Sequence, residues 1–437
     1  SQALVPAQRI SNGAVRLTVV EGFIDRIILK DGSGAPEQDT LIRDMAQGIT
    51  ASKPLRSRDL ERALLLINDL PGVSASAYLE ASKTVPGAAD LVLVVERKSI
   101  DALASIDNRG TRFLGPYQGT LQGSINNALG LDDRTSIRLI NTVPFRDLHY
   151  GDIDHEEQLG SDGAKLGLGF FYSDAHPEHN QGLHDQDYSG SLQLAYPLIR
   201  SRAENLSLRA RFELSDFKAS NGGGTLSEDK LLVGRFQGSY DLTDIWVRLP
   251  ATDLALIEVS QGVPGGPASR KGSDLSRAGA EPGFTKVAGT LSREQSLVFG
   301  FSVLAAGAWQ YSGDVVPASE EFGFGGTEFG RGYDPSEILG DSGVAGKLEL
   351  RWGQAPGLAW FTSYQLYGFY DVGAVWANQN LFGFSQELTA ASTGVGARVT
   401  INTHLSGYVE LGVPLTRTVA AEGNRDPRVF FGITGRF

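Results

Sequence analysis

Cysteine is absent from the 437 residues and methionine occurs once. Disulfides, thiolate metal sites and cysteine nucleophiles are excluded together. No run of 18 uncharged apolar residues occurs either, which rules out a helical membrane span. That test does not reach a transmembrane barrel, in which only alternate residues face lipid. The opening Ser1-Gln-Ala-Leu-Val has neither the basic segment nor the apolar stretch of a signal peptide. A leader is therefore expected to have been removed or to lie upstream. A net charge of −12 argues against nucleic acid as a partner.

Catalytic signatures are missing as well. Gly323-Phe-Gly-Gly-Thr-Glu-Phe-Gly-Arg-Gly332 does not match the dinucleotide fingerprint, and no helix is expected after it. Pro264-Gly-Gly-Pro-Ala-Ser-Arg-Lys-Gly272 lacks the Gly-Lys-Ser/Thr of a phosphate loop. Asp152 and Asp154 suggest calcium, but the turn glycine and closing glutamate of an EF-hand loop are wanting. His176, His179 and His184 lie close in sequence, yet Pro177, Asn180 and Gly182 mark a polar loop there. With only six histidines and no nucleophile–base arrangement, the reading is no enzyme, no cofactor and no metal.

Glycine is abundant, 54 residues, alongside 41% hydrophobic side chains. Mean hydropathy is nonetheless only −0.14. Two textures share the chain. From about 22 to 98 the pattern is a compact α/β module. Phe23–Lys30 reads as a strand and Asp39–Ala46 as a short helix. Ser57–Leu70 reads as a second helix with Ser57 as N-cap, an apolar face of Leu60, Leu64, Ile67 and Leu70, and Pro71-Gly72 as its stop. Val73–Ala81 and Asp90–Glu96 supply two more strands. Ala14–Glu21 reads as a separate strand with no helix before it.

From about residue 99 the texture becomes alternating strands and Gly/Asn/Asp turns. In Leu206–Ser215 the residues Leu206, Leu208, Ala210, Phe212 and Leu214 share one face, opposite Ser207, Arg209, Arg211, Glu213 and Ser215. In Tyr364–Trp376 the even positions carry Tyr364, Leu366, Tyr370, Val372, Ala374 and Trp376. Twelve steps of ~3.3 Å, tilted by ~45°, give about 28 Å, close to the ~25 Å apolar band of a membrane barrel. Residues 261–283, rich in Gly, Pro, Ser and charge, and the acidic 148–163 read as loops outside the membrane. At roughly 20 residues per strand plus connection, residues 99–437 allow about sixteen strands. The last nine residues, Val429–Phe437, again form an alternating strand, with Val429, Phe431, Ile433 and Phe437 on the apolar side.

The order β-α-α-β-β resembles a POTRA domain, the periplasmic module that precedes outer-membrane assembly barrels. Phe329-Gly-Arg-Gly-Tyr-Asp-Pro335, Gly340-Asp-Ser-Gly343, Gly346–Trp352 and Phe369-Tyr-Asp-Val-Gly373 carry a more specific likeness. They resemble the hallmark segments of two-partner secretion transporters (TpsB, the haemolysin/haemagglutinin activation-secretion type). Asp107-Asn-Arg-Gly110, Asn127–Asp132 and Tyr196-Pro-Leu-Ile-Arg200 resemble further segments of that family.

The resemblance implies an all-β transmembrane barrel of about sixteen antiparallel strands, preceded by a small α+β POTRA domain. Residues 1–21 become the end of a preceding POTRA domain, 22–98 a POTRA domain, and 99–437 the barrel with a loop near 322–345 folded inward. Arg331, Gly332 and Tyr333 match the family's loop tetrad, with Gly330 where Val is usual. Phe369, Asp371 and Gly373 match the wall motif that meets it. Asp371 has lumen parity on its strand, so a guanidinium is a suitable partner, and Gly332 is expected to let the loop turn. Phe431, Ile433 and Phe437 resemble the carboxy-terminal assembly signal of outer-membrane barrels, whose last strand closes against the first.

The function implied is export of one partner protein, unfolded, from periplasm to cell surface. The implied partners are that client, outer-membrane lipid and, during biogenesis, the barrel-assembly machinery. Two alternatives stand beside it: a barrel-inserting machine, which shares the POTRA-plus-barrel plan, and, more distantly, a passive pore or structural anchor of a surface assembly.

Overall fold

A computed structural model describes residues 2–5, 8, 15, 18–177, 182–270, 274–358, 360–378 and 386–437. Near the amino terminus β1 (Gln2–Leu4) pairs antiparallel with β2 (Thr18–Val20). Of the strand expected over Ala14–Glu21, Ala14, Arg16 and Leu17 lie outside the described residues.

The module that follows runs β3 (Ile24–Asp31), α1 (Thr40–Ala51), α2 (Ser57–Asn68), β4 (Val73–Ala81) and β5 (Ala89–Arg97). Its sheet has the order β3-β5-β4, with β3 parallel and β4 antiparallel to the central strand. This is the β-α-α-β-β arrangement of a POTRA domain. Helix α1 begins where the Asp39 carboxylate accepts the Ile42 N–H at 2.8 Å, satisfying one of the orphan donors of the first turn. It runs five residues further than its expected end at Ala46.

Helix α2 departs from expectation at its start. Arg56, not Ser57, occupies the N-cap and makes no side-chain capping bond. Instead the Ser52 hydroxyl accepts the Arg56 N–H and donates to the Asp59 carboxylate. The helix is also rolled: Ala63, Leu66, Ile67 and the following Leu70 are buried, while Leu60 and Leu64 pack at the margin. Apolar residues run almost continuously from Ala63 to Ile67, so periodicity alone leaves the rotation open. The roll joins Ile67 to Ile24, Ile42, Ile49, Leu91 and Leu93 in one core.

Among the described residues, sixteen antiparallel strands then close into a barrel, from Ile100–Asp107 to Arg428–Arg436. Each pairs with its neighbours in sequence, apart from one long excursion at 313–341, and the last pairs with the first from Gly432–Asp107 to Arg436–Leu103. Phe437 and Ala102 exchange both backbone hydrogen bonds beyond that register. No helix among the described residues is long and apolar enough to cross a membrane; the strands do the crossing. Leu168, Phe170, Phe212, Leu366, Tyr370, Val372, Val429 and Ile433 are all exposed on the outer wall, where lipid replaces a protein core. On the Ser363–Ala377 strand the other parity, Tyr367, Phe369, Asp371 and Val375, is buried toward the lumen.

The acidic stretch 148–163 corrects the sequence reading. Leu148–Leu159 is a barrel strand, not a loop. Asp152 faces the lumen and accepts a hydrogen bond from Arg138 Nε at 2.7 Å, while Ile153 points outward. The outward face here includes Gly151 and His155, so both faces are polar or small and the alternation is weak. Of the loop expected over 261–283, Gln261 and Gly262 end the Ala251–Gly262 strand, and the described residues of 263–284 connect it to the Thr285–Ser296 strand.

The module is fastened to the turns at its own end of the barrel. Asp69 accepts two hydrogen bonds of 2.7 Å from the Arg200 guanidinium. Arg62 donates to the Pro197 carbonyl at 3.2 Å and Glu61 accepts the Arg202 N–H at 2.7 Å. The Tyr196-Pro-Leu-Ile-Arg200 segment thus ends its strand against α2.

Candidate functional site

The excursion 313–341 starts at the end of the barrel away from the module and turns back into the lumen. Phe322–Phe324 and Ile338–Gly340 form a short antiparallel ladder at its neck. Its tip carries Arg331, only 4% exposed. Arg331 Nε and Nη2 donate to the two Asp371 oxygens at 3.0 and 2.8 Å. The backbone N–H groups of Gly330 and Arg331 donate to Asp371 Oδ2 at 3.1 and 2.9 Å. One carboxylate therefore holds the side chain and the main chain of the loop tip together. The guanidinium also lies over the Phe369 ring, 3.7 Å from its centroid, a cation–π contact that strengthens when desolvated.

Asp371 is not the sole anion. Arg331 Nη1 donates to Glu349, which is 1% exposed. Glu349 further accepts from Arg351 Nε at 2.7 Å and Arg398 Nη1 at 2.8 Å. Glu410 bonds Arg109 and the Tyr367 hydroxyl, and Arg109 donates to the Arg331 carbonyl at 3.1 Å. Arg351 reaches Glu294 at 2.8 Å. Four guanidiniums (Arg109, Arg331, Arg351, Arg398) thus face four carboxylates (Glu294, Glu349, Asp371, Glu410). Balance of this kind offsets the cost of taking so many charges out of water.

The remaining predicted positions take distinct parts. Tyr333 is buried; its hydroxyl donates to the Ala391 carbonyl at 3.0 Å and accepts the Arg417 N–H at 3.2 Å. It shares an apolar cluster with Phe324, Ile338, Val375 and Val419. Gly332 does not make the turn expected of it. The turning residue is Gly330, at φ +80°, a region costly for a side-chain-bearing residue. A Cβ on Gly330 would come within 2.7 Å of the Phe324 ring. That accounts for glycine standing where the family resemblance suggests valine. Gly332 instead allows close approach: its Cβ would meet Ser392 at 2.9 Å and the Val413–Pro414 backbone at 3.0 Å. Gly373 similarly leaves room for the Phe324 ring.

Sequence reasoning overlooked Glu349, Glu410, Arg109, Arg428 and Asp334. Lumen parity was visible for Glu349, between the lipid-facing Leu348 and Leu350, but parity names no partner. Arg428 bonds Asp334 and the Gly332 carbonyl, bringing residues 94 and 96 positions apart together from the last strand.

A second anchor sits at the outer mouth. Asp341 accepts from Arg277 at 2.6 and 3.1 Å and from the backbone N–H groups of Val316 and Asn378 at 2.7 and 2.6 Å. Burial opposes its ionisation, but these bonds outweigh burial and hold the carboxyl below its ordinary value. Glu320 is held in turn by Arg235 and Lys286.

Asp174, His176 and His184, by contrast, stand together on the outer wall, far from this lumen network. His179 lies outside the described residues.

Residues 87–399 match the family model for the haemolysin secretion/activation protein ShlB/FhaC/HecB. The heme/hemopexin transporter protein HuxB of Haemophilus influenzae (strain 86-028NP) is 24% identical over 358 residues, 80% of this chain and 62% of that protein. The chain therefore spans less than two thirds of the HuxB length. The outer membrane transporter CdiB of Escherichia coli O6:K15:H31 (strain 536 / UPEC) is 24% identical over 430 residues, 95% of this chain and 70% of its own length. A solved structure of CdiB from Escherichia coli superposes with a TM-score of 0.79 at 19% identity, covering 100% of this chain and 80% of that one.

Proposed function

We propose, from the premise that this chain belongs to the haemolysin secretion/activation (ShlB/FhaC/HecB) family, that it exports one partner protein across the outer membrane in unfolded form. The barrel resides in the outer membrane and the α/β module lies at its periplasmic face. Residues 1–21 are the end of a preceding POTRA domain. The module captures an extended segment of the client, which then threads through the lumen and folds outside. Strands β3 and β4 are the two edges of the module's sheet, and an extended chain added to either would gain main-chain hydrogen bonds.

The observation that carries this reading is the loop tip inside the lumen. A permanent plug needs no titratable or charged latch, and an apolar one would be cheaper to bury. A latch made of Arg331, Asp371 and Glu349 is strong when closed, yet each partner can exchange for water or for polar groups of a passing chain. Lipid at the outer wall and the barrel-assembly machinery during biogenesis complete the set of partners.

Deletion of the gene, followed by mass spectrometry of surface-exposed and released proteins, tests the proposal. One large exoprotein should disappear while other outer-membrane barrels keep their amounts. A general loss of barrels would replace export by barrel insertion. Loss of solute uptake alone would leave a passive pore.

A further inference from the structure

Asp174, His176 and His184 stand together on the Ala164–Ala175/His184–Arg200 hairpin, with one ligand atom from each within 4.8 Å of the others. We propose that they form a binding site for a divalent transition-metal ion of borderline softness, zinc or copper, on the outer rim of the barrel.

The ladder builds the site. Asp174 pairs with Gln186 and Ala175 with Asp185, so the next step of the register sets His176 opposite His184. Cross-strand neighbours of this kind have Cβ atoms ~5 Å apart, a spacing two imidazoles can close on one ion. Asp174 precedes His176 by two residues and so shares its face. That face is the outer one: Phe170, Tyr172 and Tyr188 have the same parity and are exposed. The cluster thus sits just beyond the last lipid-facing aromatics, at the end of the barrel away from the POTRA module.

The side chains are already nearly converged. His184 Nε2 and Asp174 Oδ1 are 2.5 Å apart, and His176 Nδ1 is 3.9 Å from the same oxygen. The two imidazoles stack with centroids 4.3 Å apart and an interplanar angle of 15°. Tetrahedral zinc with bonds of ~2.0–2.2 Å needs ligand atoms ~3.3 Å apart. Rotating the side chains supplies that change, and the main chain need not move. It is held on both sides: the His176 N–H donates to the Asp147 carbonyl at 2.8 Å, and the His184 carbonyl accepts from the Ser220 hydroxyl at 3.2 Å.

In the metal-free site Nε2 of His184 is the donor to Asp174. Ligation through Nε2 moves that proton to Nδ1, and the carboxylate turns from acceptor to ligand. Two imidazoles and a carboxylate are a ligand set suited to zinc or copper and poor for magnesium or calcium. Three protein ligands leave at least one position open to water or a further donor.

Calorimetric titration of the full chain in detergent with Zn2+ tests the proposal, with Co2+ absorption as a second readout. One ion per chain should bind, and His176→Ala or His184→Ala should each weaken binding by about tenfold or more. Asp174→Asn should weaken it less, and His404→Ala, at the periplasmic end, should leave it unchanged. Heat-modifiable migration on gels verifies that every variant is a folded barrel. The proposal fails if the native chain takes up no zinc at ~100 µM, or if the His176→Ala/His184→Ala double variant binds like the native chain.

Discussion

Arg331 and Asp371 do not contribute symmetrically to the contact they share. Removing Arg331 leaves Asp371 with the backbone N–H groups of residues 330 and 331 and leaves Glu349 with Arg351 and Arg398. Removing Asp371 strands the guanidinium's main contact and two buried N–H donors together. Asp371→Ala should therefore release the loop more fully than Arg331→Ala, with a cost of about 3 kcal/mol or more. The double variant should be no worse than Asp371→Ala alone, because the pairwise part is already lost. The absence of native cysteine permits a direct readout. A thiol at the buried position Ile338 should stay unlabelled in the parent, label slowly with Arg331→Ala, and label fastest with Asp371→Ala. Equal labelling in the two single variants would show that the backbone bonds to Asp371 carry nothing, and additive losses in the double would show that the two residues act separately.

At the scale of elements, Asp341 joins three of them: the 263–284 connection through Arg277, the descending limb of the excursion through Val316, and the segment after the Ser363–Ala377 strand through Asn378. Its carboxyl is depressed in the folded protein, so its contribution is present above the unfolded value, near 3.9. That contribution fades as pH falls through the lower folded value. Protease cleavage within 263–284 should accordingly be slow at neutral pH and accelerate below about pH 4. Asp341→Asn should cleave readily at neutral pH and lose most of that dependence. A connection as resistant in Asp341→Asn as in the parent would mean that apolar packing, such as Phe284 against Leu231 and Val233, holds it instead.

For the molecule as a whole, stability depends on closing the ring. The seam between the first and last strands runs from Leu103–Arg436 to Asp107–Gly432, extended by the two Phe437–Ala102 backbone bonds at one end and by the Asn108 bonds to Val429 and Phe431 at the other. Phe437 is 69% exposed on the lipid face, so its loss removes little internal packing. We expect Phe437→Ala to reduce the amount of barrel assembled in membranes several-fold. The fraction that does assemble should keep its heat-modifiable migration. Normal assembly would remove Phe437 from the assembly signal, whereas a heat-labile product would make it part of the seam.

Alternation with period two, visible along Tyr364–Trp376 and Val429–Phe437, was enough to separate lipid side from lumen side. Strand spacing gave about sixteen strands, because a barrel wall repeats one local rule and each hairpin pairs with its neighbour. Both helices were legible in the sequence, but the Ser57 cap read for α2 was not the one formed, because Arg56 takes that place without a side-chain bond. The rotation of α2 was not, since its neighbours in the core come from β3 and β5. Leu148–Leu159 was misread because its two faces differ too little. Parity assigned Asp371 to the lumen, and the family resemblance named Arg331, a fitting partner for a carboxylate. What parity could not supply was the network: Glu410 and Arg428 from the last two strands, and Arg109 just past the first, meet Arg331 and Asp334 of the inward loop only once the ring has closed. Local periodicity fixes which way a side chain points. Only closure of the sheet and the inward fold of one excursion decide which charges, hundreds of residues apart in some cases, come within a hydrogen bond of one another.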